Sequence, residues 1–83
     1  MDRKTADKWR PFLNIMARIN MEIDVAETCL YEPTTVELGR KELYELKRDW
    51  RDELEFADDQ KTPTRVCNLA IVQANATEQL KVF

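Results

Sequence analysis

Glycine occurs once in this chain of 83 residues, at Gly39, and proline three times, at Pro11, Pro33 and Pro63. A backbone that reverses many times normally needs residues that tolerate positive φ or preset a turn. Such scarcity therefore argues against a multi-stranded sheet. Ala, Leu, Glu, Lys and Arg dominate instead, and these lose little freedom in a helix. The expectation is an all-α fold: a single three-helix domain over residues 1–83, built on a long antiparallel αα-hairpin plus a third apolar helix. The helices are expected at about 8–31, 35–59 and 63–81, with Met1–Ala6 frayed, by the spacing, capping and terminus rules that follow.

The spacing of apolar residues carries that expectation. Trp9, Phe12, Met16, Ile19, Ile23, Ala26 and Leu30 recur in alternating steps of three and four, the seam of a packed helix pair. Asp7 offers a cap, Pro11 falls in the first turn, and Pro33 disfavours helix at Glu32. Thr34 and Glu37 match a capping box opening a second helix, whose seam is Val36, Leu43, Leu46, Trp50, Leu54 and Ala57. Folded back on each other, the two seams set Leu30 opposite Gly39 and Ile19 opposite Trp50. Gly39 then makes room in the layer beside the bend; the alternative is that the second helix begins one turn later and Gly39 is loop.

The third segment differs in kind. Thr62 and Pro63 open it, and Val66, Cys67, Leu69, Ala70, Ile71 and Val72 surround a helix rather than striping it. A small domain cannot cover every side of an outer helix. The segment is accordingly expected to present an interface to a protein partner or a second copy through Val66, Leu69, Ile71, Val72, Leu80, Val82 and Phe83.

Residue types limit the chemistry. Histidine and serine are both absent, which removes imidazole catalysis, His–metal ligation and serine triads. One glycine builds no phosphate-cradling loop. Cys29 and Cys67 lie far apart and lack histidine, so they make no zinc site, and in a reducing cytoplasm they are expected as buried thiols rather than a disulfide. Catalytic, cofactor-binding and metal-binding residues are all read as none. No signal peptide or membrane span is visible, and the longest apolar run is Leu69–Val72.

Charge supplies two further candidates. The net charge is −3, so no global field draws the chain to nucleic acid. Locally, Arg40, Tyr44, Lys47 and Arg51 would line one edge of the second helix and bind an anion, a nucleotide or nucleic acid, with Arg10 as a further contact. Glu42, Glu45, Asp49, Asp52 and Glu53 would line the other, and Asp49, Asp52 and Glu55 would be the contact face of an acidic decoy that mimics nucleic acid. The leading expectation is a non-enzymatic, cytoplasmic protein–protein interaction module that self-associates. Small inhibitors, adaptors and assembly factors, including those encoded by phages and plasmids, supply the analogy.

Overall fold

A mixed five-stranded sheet takes the place of the expected third helix and of both ends of the second. The computed structural model describes residues 1–83, and it overturns the all-α, three-helix-bundle expectation. Three helices, α1 (Arg3–Trp9), α2 (Ile15–Thr28) and α3 (Arg40–Asp49), accompany strands β1 (Thr35–Leu38), β2 (Leu54–Phe56), β3 (Pro63–Val66), β4 (Leu69–Gln73) and β5 (Leu80–Val82). The strand order is β2-β3-β4-β1-β5, with β1 and β4 parallel and every other pair antiparallel.

The expected first helix is two helices. Residues 1–6 are ordered rather than frayed, because the Asp2 carboxylate accepts the Thr5 N–H at 2.8 Å and Ala6 is fully buried. Pro11 lies in a 3-10 turn, Arg10–Phe12, and Asn14 recaps the chain by accepting the Ala17 N–H at 2.8 Å. The break turns Trp9 and Phe12 outward, 49% and 78% exposed, so neither joins the seam assigned to it. Helix α2 buries two faces instead. Ile15, Met16 and Ile19 meet α3 and the sheet, while Met21 and Val25 meet Ala6 of α1.

The expected second helix is strand, helix, strand. Thr34–Glu37 is not a capping box: Thr35, Val36 and Glu37 are extended and pair with Ala70, Ile71 and Val72. Helix α3 begins only after Gly39, which is its N-cap, and ends at Asp49. The first N–H groups of α3 find acceptors in the 74–79 loop, Arg40 on Ala76 O at 3.2 Å and Lys41 on Thr77 O at 2.9 Å.

The expected third helix is a hairpin and an edge strand. Cys67 and Asn68 have φ of 50° and 65° and alone connect Val66 to its cross-strand partner Leu69. Two consecutive positive-φ residues make the type I′ turn whose twist suits a two-residue hairpin. Apolar residues of both parities, which read as an all-round helix, are the two faces of one strand. Leu69 and Ile71 point to the core, Ala70 and Val72 away from it. No helix is long and apolar enough to cross a membrane.

Candidate functional site

Parity along the strands divides the sheet into two unlike faces. Leu54, Val66, Leu69, Val36 and Leu38 share the core with Ile15, Met16, Ile19, Leu43 and Leu46, so α2 and α3 lie on one side. The opposite parity has no helix over it. Across it runs the row Glu55, Arg65, Ala70, Thr35 and Phe83, joined by strand register and by the two bonds that Thr35 and Phe83 exchange at 2.8 and 2.9 Å. A second row holds Val72, Glu37 and Lys81. Val72 is 44% exposed and Phe83 40%, with Ala70 half-buried between the charged groups.

Charges on this face balance. Arg65 lies 3.4 Å from Glu55, the Gln79 amide donates to Glu37, and the Lys81 ammonium sits 5.7 Å from the Phe83 ring centroid. The exposed apolar residues are interspersed with the charges: Val72 neighbours Ala70 on β4, while Phe83 at the end of β5 lies across β1, beyond Thr35 and Glu37. Equal numbers of acids and bases complement a surface of mixed sign better than a polyanion.

Of the seven interface residues named from sequence, Val66 and Leu69 are buried in the chain's own core, and Ile71, Leu80 and Val82 pack against it. Val72 and Phe83 are the two that reach solvent on the uncovered face. The surface expected of an over-apolar helix is thus reduced, and its remaining apolar area comes from strand parity. Ala70, Arg65 and Lys81 were not singled out as part of it; alternation through residues 69–72 was the available signal.

The basic edge is partly assembled. Tyr44, Lys47 and Arg51 line a shallow groove with Arg48 and Lys61, the last from the β2–β3 connection. Arg40 is absent from it, donating to Thr77 Oγ1 at 3.1 Å beside the start of α3. Arg51 stacks over Phe56 at 4.6 Å and donates to Gln60 O at 3.0 Å. Arg48 is forked onto Asp49 at 2.8 and 2.7 Å; this pairing raises the guanidinium pKa and holds the Asp49 carboxyl below its ordinary range. Lys47 and Lys61 form no ion pair.

The acidic face is dispersed. Asp49 ends α3, Asp52 lies in the following 3-10 turn, and Glu55 belongs to β2 on the uncovered face. Two of the three carboxylates already face a guanidinium, which leaves little for a nucleic-acid mimic. The most deeply buried acids, Glu42 and Glu22, are joints instead. Glu42 accepts the Gln79 N–H at 2.5 Å, and Glu22 takes both terminal nitrogens of Arg3 at 2.7 Å, raising that guanidinium's pKa.

Neither thiol matches the expected buried pair. Cys29 is exposed after α2, while Cys67 is half-buried in the hairpin turn, where burial and then Glu53 push its pKa up. Both are free. No three His, Cys, Asp or Glu side chains converge in a metal-holding group. No model of a known protein family, no curated protein and no solved structure matches the chain.

Proposed function

We propose that this chain is a non-enzymatic protein–protein interaction module that self-associates through the uncovered face of its sheet. The observation that carries the reading is a five-stranded sheet with helices on one side only, exposing Val72 and Phe83 within a charge-balanced frame. A two-fold arrangement of two such faces buries Val72 and Phe83 and can set acids of one copy against bases of the other. The absence of histidine and serine supports a binding rather than a catalytic role. Two free thiols, one of them exposed, suit the reducing cytoplasm.

Sedimentation velocity over a range of concentrations tests the proposal. Association above the 9.8 kDa monomer is expected, little affected by salt because rim pairs contribute only about 0.2–1 kcal/mol each. Replacing Val72 and Phe83 together by Asp should return the chain to monomer with its fold intact. A wild-type monomer at every concentration contradicts the proposal. A second reading, binding of a phosphate backbone, is favoured by Lys47 and Lys61 standing unpaired beside exposed Tyr44. Its signature is oligonucleotide binding that falls steeply with salt and disappears when both lysines become Gln.

A further inference from the structure

The outer edge of the sheet at β5 opens onto a cleft that shares only Lys81 with the charged and exposed residues of the uncovered face. In the β1–β5 ladder Thr35 and Phe83 exchange hydrogen bonds, and a step of two makes Glu37 and Lys81 the next inward pair. The backbone N–H and C=O groups of Leu80 and Val82 consequently point away from β1, and β5 has no neighbour on that side. Facing this edge are Arg3, Arg10 and Arg18 of the helical layer, lining a cleft of about 510 Å³.

Charge in the cleft is one-sided. Arg3 and Arg10 share the cleft's single carboxylate, Glu22, at 2.7 and 3.5 Å, and both also reach Asp7, at 3.9 and 2.5 Å, so the uncompensated charge lies on Arg18 and Lys81. Arg18 has no ion pair, and its buried Nε has no hydrogen-bond partner. Lys81, on the other side of the strand, likewise lacks a carboxylate. A strand added beside β5 would send alternate side chains to the Arg18 side and the Lys81 side. Pairing β5 with the β5 of a second copy would place these cations against their own kind, which disfavours that occupant.

We infer that the β5 edge receives an extended acidic segment of a partner protein, which adds a strand to the sheet. Its backbone bonds to Leu80 and Val82, and adjacent carboxylates reach Arg18 on one side and Lys81 on the other. This deepens the protein-binding reading at a second surface. It does not depend on the uncovered face, so monomeric behaviour in sedimentation leaves it standing.

The test uses the full chain and a short, end-blocked peptide of glutamates and threonines, followed by NMR titration. The expected result is saturable binding that slows exchange of the Leu80 and Val82 amides and weakens as salt rises. Arg18→Gln should weaken binding about tenfold, the loss expected of one charge-assisted hydrogen bond. Val82→Pro removes an outward N–H while sparing the β1 ladder, as proline does at sheet edges, and should abolish binding with the circular dichroism preserved. The inference is overturned if the peptide does not bind, or if its glutamine counterpart binds equally. It is likewise overturned if Arg18→Gln has no effect, or if a single-stranded oligonucleotide occupies the cleft as tightly.

Discussion

The junction at Gly39 and the bend after α2 make opposite use of the backbone. Gly39 has φ −72° and ψ 172°, a conformation open to any residue, yet a Cβ there would lie 2.7 Å from both Gln79 N and Thr77 O. Leu30 has φ 58°, in the left-handed region that favours glycine, and its side chain is 97% exposed. Around Leu30 the chain closes α2 with Tyr31 N–H on Ala26 O and Leu30 N–H on Glu27 O, both 2.9 Å, the paired bonds of a Schellman ending. The glycine therefore serves volume, and the left-handed bends are made without it. Glycine count is a poor census of turns in this chain.

The largest effect expected from this contrast is at Gly39. Gly39→Ala should cost about 1–3 kcal/mol in urea unfolding, because the obstructing atoms are main chain and cannot swing aside. A neutral result would mean that the 77–79 segment is not seated against the start of α3. At Leu30 the sign reverses. Leu30→Gly should stabilise by roughly 0.5–1 kcal/mol, less than the full cost of a left-handed side chain because glycine also frees the unfolded state. Destabilisation there would show that Leu30 makes contacts its exposure denies.

The smallest effect concerns the β2–β3 connection, where Gln60 has φ 59° and no glycine stands nearby. Asp59 holds that bend, its carboxylate accepting Lys61 N–H at 2.9 Å, Thr62 N–H at 3.0 Å and the Thr62 hydroxyl at 2.8 Å. The backbone bond from Lys61 leads the causes that keep its pKa below the ordinary 3.8. A carboxyl depressed in the folded state stabilises above its unfolded value, and that support is lost as pH falls through the folded value. The Lys61 and Thr62 amides should accordingly lose their protection against exchange as pH falls below 3.8 and through that lowered value. Asp59→Asn should remove that pH step.

The same contrast explains what could be read from sequence. Met16, Ile19, Val36, Leu43, Leu46 and Leu54 were placed in the core by spacing, and all six are buried. Val36 and Leu54 nevertheless reach it from strands, since a three-and-four spacing can straddle a strand, a short helix and another strand. Tyr44 and Lys47 share a face of α3, and Arg51 reaches the same groove from the 3-10 turn that follows, so sequence proximity brings these three together; Lys61 joins them only through the β2–β3 connection, a non-local contact. The sheet was missed because Leu30, Gln60, Cys67 and Asn68 perform bends for which glycine was the expected signal. The pairing of Arg3 with Glu22 was hidden as well, because it forms across the break at Pro11 and has no fixed spacing.

NMR spectra recorded as the protein is concentrated provide the most direct test of the uncovered sheet face as the associating surface. The predicted result is movement of the Ala70, Val72 and Phe83 signals with concentration, while those of Phe12 and Tyr44 stay in place. Shifts centred on Phe12 or Tyr44, with Val72 and Phe83 unmoved, would contradict it.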